Sequence, residues 1–475
     1  MNDQSSVSQT GETTTELKRM MSPALLLLFI IGDVLGTGIY ALTGTVARQV
    51  GGAVWVPFLL AFVVAFLTAF SYLELVTKYP QAAGAALYTH KAFGIHLLTF
   101  MVTFTVMASG ITSAATASRA FAENLMKGLR IAHTPVLVTW LSILFVLIIM
   151  GINLWGVGHS VITNVVLTLI EMSGLLLVIL VGVYAVAQGR ADFSQVAVFH
   201  TPQDKSVFLA VSTATSIAFF AMVGFEDSVN MAEETRNPST TFPKVMLTGL
   251  TITGVIYVLV SITAVALVPP GELSRQGATP LLEVVKAGAP NLPISTIFPF
   301  ISMFAVANTA LLNMMMASRL LYGMSRERVL PAVLSRVHRS RRTPWVSILF
   351  TTALAVVLIT FVGQVSQLGG TTALLLLGVF TIVNVAVLVL RTDQVTHHHF
   401  RTPRAVPALA AVATFYLVGP WTGRDLQQYA IAGALLVLGL ALWLVTSLFS
   451  RRNPRSTLDM KFDHVDDFPG DEDLR

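Results

Sequence analysis

Gly32, Asp33, Gly36, Thr37 and Gly38 fall within the apolar stretch Pro23–Gly44. These residue types weaken a helix: each glycine in a helix interior costs about 1 kcal/mol relative to alanine. In hydrocarbon, an unpaired backbone group adds several kcal/mol more, so a break there must face protein or a water-filled cavity. A helix broken at mid-membrane offers free N–H and C=O groups to a small charged solute. A second such place is Ser216–Asn230, where Gly224 precedes Glu226, Asp227 and Asn230. A charge at the bilayer centre costs at least about 2.5–3.5 kcal/mol, so this half-span lines a polar region or is unwound. Glu171 is a third intramembrane carboxylate, in the apolar run 160–187.

Other chemistries lack their residues. The chain has no cysteine, which excludes disulfides, thiolate catalysis and cysteine metal sites. No Gly-Lys-Ser/Thr phosphate loop supports ATP-driven pumping, and no HExxH or G-x-S-x-G motif marks an enzyme. His397, His398 and His399 are adjacent and therefore do not share a face; a solvated loop explains them better than a metal site. No catalytic residue, metal or cofactor is expected.

The elements that must position these groups follow from composition. Of 475 residues, 54% are hydrophobic and 12% charged, against about 25% charged in soluble domains. The mean hydropathy is +0.73. At about 20 residues per crossing, the sequence predicts an all-α polytopic membrane protein of about twelve transmembrane helices in a lipid bilayer. The predicted spans are 23–47, 53–77, 95–119, 134–153, 160–187, 208–231, 244–268, 292–318, 344–363, 370–390, 405–421 and 428–449. The third and fifth run long, which suggests tilt or extension beyond the membrane.

Spans one and six carry the interruptions, five apart, as an inverted five-plus-five repeat requires. Repeat one is expected at 21–190, repeat two at 205–392 and accessory helices at 403–450. Residues 1–20 and 451–475 read as polar cytoplasmic tails, the first not a cleaved signal peptide. With the N-terminus inside, roughly two-thirds of the connecting Lys and Arg residues also fall inside, as the positive-inside rule asks. The net charge of +5 therefore reflects orientation and does not imply nucleic acid.

The stretches GDVLGTGIYALTG (32–44), YLELVTKYPQAAGAALYTHKAFG (72–94) and FFAMVGFEDSVNMAEETRNPSTTFP (219–243) resemble the amino acid–polyamine–organocation superfamily. More narrowly, they are similar to bacterial relatives of cationic amino acid transporters. The resemblance implies alternating access, with an amino acid bound between spans one and six. On it, the backbone N–H groups of Gly36, Thr37 and Gly38 hold the substrate carboxylate, consistent with orphan donors and partial positive charge at a half-helix N-terminus. Close helix packing through small residues is the alternative; the clustering with Asp33 favours the site. Val34, Leu35 and Ile39 would supply wall or carbonyl contacts.

Phe220 matches an aromatic gate, or else it faces lipid or packs as an ordinary core aromatic. Ala221, Val223 and Gly224 match unwound backbone that receives the α-amino group, and small Ala221 suggests room for a sizeable side chain. Glu226 matches the family's glutamate after the sixth-span break; its carboxylate suits pairing with polar groups on other spans, stabilising the break, or taking up a proton. Asp33 and Asp227 rank below it.

Glu171 departs from the family: some proton-coupled relatives have a lysine in this region, whose ammonium stands in for sodium. Glu171 itself then carries the proton, or is held in a salt bridge or helix-end hydrogen bond. Asn313 falls near the level of substrate contacts in relatives, and with Asn308 equally suits interhelical hydrogen bonding. Arg119 is expected to snorkel outward.

These features favour a secondary transporter importing amino acids with protons. An amino acid/amine exchanger is the alternative. An ion channel would want a repeated filter segment, and none is seen. The acidic residues near the site tilt the substrate slightly towards cationic amino acids; branched and small neutral ones stay open. The sequence leaves the oligomeric state open.

Overall fold

The computed structural model describes residues 21–451 except 82–83, 156–160, 203–204, 233–234, 236, 327–329, 339–340 and 342. Both predicted tails lie outside the described residues, apart from Arg451, which ends the last helix. So do the Gly156–Ser160 part of the fifth-span motif and part of the 232–243 connection.

The first half of the chain forms α1 (Pro23–Val34), α2 (Thr37–Val50), α3 (Trp55–Lys78), α4 (Gly84–Phe93), α5 (His96–Gly128), α6 (Pro135–Trp155) and α7 (Val161–Ala187). The second half forms α8 (Val207–Ala218), α9 (Pro238–Leu267), α10 (Pro270–Leu273), α11 (Pro280–Gly288), α12 (Ile294–Arg326), α13 (Trp345–Phe361), α14 (Val365–Leu390), α15 (Ala405–Val418) and α16 (Leu426–Arg451). Among the described residues there is no strand, only isolated bridges such as Gly51 to Phe199.

Among the described residues ten spans are long and apolar enough to cross a membrane, and α13 and α15 are shorter apolar helices. This is the all-α polytopic membrane protein that composition predicts. Besides the predicted long third and fifth spans, the eighth is long: α5 and α12 each have 33 residues. At 1.5 Å per residue each reaches about 50 Å, well beyond a hydrocarbon core of about 30 Å.

Spans five apart in order pack on one another: α5 against α12, α3 against α9, α6 against α13, and α2 against α8. Burial separates centre from rim. The most apolar windows of the first and sixth spans are each 72% buried, while those of α6 and α16 are 28% and 22% buried. The rim helices turn Trp140, Leu144 and Ile148, and Val437, Leu444 and Leu448, outward. The interrupted spans therefore need neighbours for their freed backbone groups, and the bundle supplies them.

Arg119 does not snorkel. It is 4% exposed, and its Nη1 donates to the Ile359 carbonyl at 2.9 Å. Packing of α13 on α5 closes the outward route, and Glu123 stands one turn along as a counter-charge. The Glu123 Oε2 also accepts from the Ala278 N–H at 2.7 Å, pinning the connection between α10 and α11. In α11 the apolar Leu281, Leu282, Val284 and Val285 face inward.

One end of the bundle is tied by a buried ion pair. Arg391 Nε donates to Glu74 Oε1 at 2.8 Å and its Nη2 to Oε2 at 2.6 Å. Nη2 also reaches the Thr402 carbonyl, while the Thr402 N–H donates back to Glu74. Lys78 donates to the carbonyls of Leu390 and Asp393, and the Tyr79 hydroxyl to the Asp393 carboxylate. His397 approaches the Thr77 carbonyl at 3.2 Å. Partial burial pushes the His399 imidazole below its ordinary pKa, which favours the neutral ring.

The pair's side chains are 3% and 8% exposed, so removing one partner strands a buried charge, at about 3–5 kcal/mol. Glu74→Ala is therefore expected to lower the thermal midpoint of the purified protein sharply. The double variant Glu74→Met/Arg391→Leu should recover most of that loss.

Candidate functional site

The first span breaks between α1 and α2, at Leu35 and Gly36. Gly36 leaves helical geometry at φ −47°, ψ −154°, and no side chain caps α2. Backbone groups freed in a membrane interior must find partners. The Leu35 N–H closes α1 on the Ile31 carbonyl at 2.8 Å. The Val34 carbonyl accepts the Tyr257 hydroxyl at 2.5 Å. The Thr37 N–H donates to Thr309 Oγ1 on α12 at 3.3 Å.

The sixth span breaks directly after its 3₁₀ turn Phe219–Met222. Val223 is extended, Gly224 takes φ +125°, and a further 3₁₀ segment runs Phe225–Met231. Only glycine adopts such a φ without strain. The Gly224 N–H donates to Glu226 Oε2 at 2.9 Å, so Glu226 closes the break it follows. Aromatic packing anchors both sides: Phe225 meets Tyr72 and Phe380, and Phe219 meets Phe380.

The two breaks touch backbone to backbone. A Cβ placed on Gly38 would lie 2.3 Å from the Ala221 Cα. One placed on Gly224 would lie 2.7 Å from the Asp33 carbonyl carbon and oxygen. Beside this contact is a small cavity of about 20 Å³, lined by residues of both breaks. A space of this size suits about one water, so the site is closed and must open to admit a larger solute.

Most of the sequence-predicted residues converge here. Asp33, Val34, Gly36, Thr37, Gly38, Phe220, Val223, Gly224 and Asn313 all line the cavity. Ile39 and Ala221 do not: they are 0% and 1% exposed and face packed helix. Ala221 is small because Gly38 sits against its backbone, which corrects its reading as room for a substrate side chain.

Glu226 lines two adjoining cavities instead. Glu171 lies behind the site on α7, 0% exposed. Neither of its carboxylate oxygens has a hydrogen-bond partner. Asn308 of α12 is its polar neighbour, yet the Asn308 amide atoms are also unpartnered. The salt bridge or helix-end bond that the sequence allowed for the Glu171 side chain is therefore not formed. Its backbone carbonyl accepts the Tyr40 hydroxyl of α2 at 2.7 Å.

Sequence reasoning missed Ser113 and Thr309 as cavity residues and ranked Asp227 low; all three line the cavity. A signal for Thr309 existed: it lies four residues before Asn313, hence on the same helix face. Asn313 Nδ2 indeed donates to the Thr309 carbonyl at 2.9 Å. Tyr257 carried no such signal, being one aromatic in a uniformly apolar span.

Paired interrupted helices enclosing a polar cavity inside a polytopic bundle define a membrane transport protein. Residues 24–451 match the amino acid permease family, and the chain belongs to it. The methylthioribose transporter of Bacillus subtilis is 28% identical over 429 residues, covering 83% of this chain and 86% of the relative. The branched-chain amino acid permease BcaP of the same organism is 24% identical over 464 residues, 92% of this chain and 94% of the relative. The chloroplastic cationic amino acid transporter 9 of Arabidopsis thaliana is 29% identical, over 70% of this chain and 60% of the relative. These relatives are transporters, not enzymes.

The backbone contact makes Gly38 sensitive. Gly38→Ala adds a methyl where no space exists, an overpacking of about 1–3 kcal/mol, and is expected to lower the thermal midpoint. Unchanged stability would show that the two breaks separate without cost.

Proposed function

We propose that this permease imports an amino acid across the cell membrane by alternating access, driven by protons. The observation that carries the reading is the meeting of the two breaks around one cavity. The first turn of α2, where the Thr37 N–H rests on Thr309 and Gly36 provides no side-chain cap, offers N–H donors to a substrate carboxylate. The unwound segment at Val223 and Gly224 offers backbone acceptors to its amino group. The basic connections orient both termini to the cytoplasm.

Glu171 is the coupling residue in this proposal. It is buried with both oxygens unpartnered, and an uncompensated ionised carboxylate there is costly. Among the described residues no cation acts on it. Asn308 faces it from α12, Tyr40 from α2 and Tyr257 from α9, with Asp33 nearby on α1. A carboxyl so placed takes up and releases a proton as the bundle opens to each side.

Uptake of amino acids into vesicles holding the purified protein tests this. An inward proton gradient is expected to accelerate uptake several-fold, and Glu171→Gln to abolish that acceleration while substrate binding persists. Uptake indifferent to the imposed gradient would reject proton drive, and counter-flow without any gradient would point to exchange instead.

A further inference from the structure

A cavity of about 190 Å³ lies away from the paired breaks, between the C-terminal ends of α7 and α9. Gly182, Val183 and Val186 of α7, Leu259 and Ala266 of α9, and Phe193 of the turn after α7 line it. Of its described lining, Thr263 alone carries a polar side chain. A buried water needs several polar partners, whereas an apolar cavity of this order stays dry and takes an apolar guest.

Local packing fixes its walls. Gly182 brings α7 against α9: a Cβ on it would lie 2.5 Å from Thr263 Cγ2. Behind the cavity, a Cβ on Gly288 of α11 would lie 2.5 Å from Val181 Cγ1 and 2.8 Å from Leu267 Cδ1. At the far end the Asp192 N–H donates to the Ala266 carbonyl at 2.8 Å, which pins the 3₁₀ turn Phe193–Gln195 to α9. The remaining side is open, and there Val183, Val186, Phe193 and Leu259 are exposed.

The open side continues two apolar stripes. Leu176, Leu180 and Val183 on α7, and Val255 and Leu259 on α9, are exposed and recur at helical spacing. On membrane spans such stripes face hydrocarbon, so lipid chains are what reaches the opening. Arg190 stands at its polar end, exposed and adjacent to the lining residue Ala191. Asp192 does not neutralise it, since its Oδ1 accepts the Ser194 N–H at 2.9 Å. Among the described residues the Arg190 side chain has no ion pair. A guanidinium fork matches phosphate oxygens.

We propose that this cavity binds a membrane phospholipid, with one acyl chain lodged between α7 and α9 and the phosphate on Arg190. Both helices pack on α1. α7 carries Glu171, and α9 carries Tyr257, whose hydroxyl meets the Val34 carbonyl at the first break. The lipid therefore wedges the two helices that support that break and stabilises the closed arrangement.

The full-length protein, delipidated in detergent and titrated with palmitoyl-oleoyl phosphatidylglycerol, tests this. Native mass spectrometry reads how much lipid is retained, and thermal shift reads the stabilisation that binding to the folded state confers. The wild type is expected to retain one phospholipid and to gain in thermal midpoint. Val183→Trp puts a larger side chain at the opening and is expected to lower retention several-fold, and Arg190→Gln to lower it as well. Leu176→Trp, on the same stripe but outside the cavity, is expected to leave retention unchanged. All three positions are exposed, so the substitutions leave the packed interior intact. A wild type that retains no phospholipid, or retains only a sterol or detergent there, overturns the proposal. So does equal retention by wild type and Val183→Trp, or an equal loss in Leu176→Trp, which would mark unspecific lipid around the bundle. Unchanged retention in Arg190→Gln overturns the phosphate contact.

Discussion

The close approach of two backbones at Gly38–Ala221 and Gly224–Asp33 organises this molecule. At either place a methyl group would collide with main-chain atoms. The contact puts two unwound segments next to each other inside a bundle otherwise made of continuous helix. In hydrocarbon such segments are unstable unless their polar groups are met. Here they are met one by one: Tyr257 for the Val34 carbonyl, Thr309 for the Thr37 N–H, and Glu226 for the Gly224 N–H. Those partners come from α9, α12 and the sixth span itself, so the breaks hold their geometry only while these elements stay packed.

That dependence links stability to transport. The aromatic group of Tyr72, Phe219, Phe225 and Phe380 fixes the ends of the sixth-span break against α3 and α14. The ion pair of Glu74 and Arg391 fixes α3 to the end of α14. Any movement that opens the closed cavity must shift some of these contacts together. Packed interfaces switch between discrete arrangements more readily than they deform continuously, which is the behaviour alternating access requires.

Charge is segregated within the membrane. Asp33, Glu171, Glu226 and Asp227 gather around the breaks, whereas Arg119 and Arg424 donate mainly to backbone carbonyl oxygens of other elements. Glu226 is engaged by backbone and Glu171 is sealed behind the site without a partner. Asp227 borders the cavities. Similar side chains thus have different uses according to what surrounds them.

Much of this was legible from residue types alone. An unbroken apolar run tolerates clustered glycines and carboxylates only for a reason, so Gly36–Gly38 and Gly224–Glu226 mark the breaks in the sequence itself. Run length and low charge likewise announced a polytopic helical bundle, because the bilayer demands about 20 apolar residues per crossing. What tertiary structure alone decided is which partner meets each freed group and which acid faces the cavity. Tyr257, Thr309 and Ser113 come from spans distant in sequence, and uniform hydrophobicity hides which face of each span turns inward. Ala221 and Arg119 were misjudged for the same reason: whether a small residue makes space or fills it, and whether an arginine reaches water, depends on the neighbouring helix.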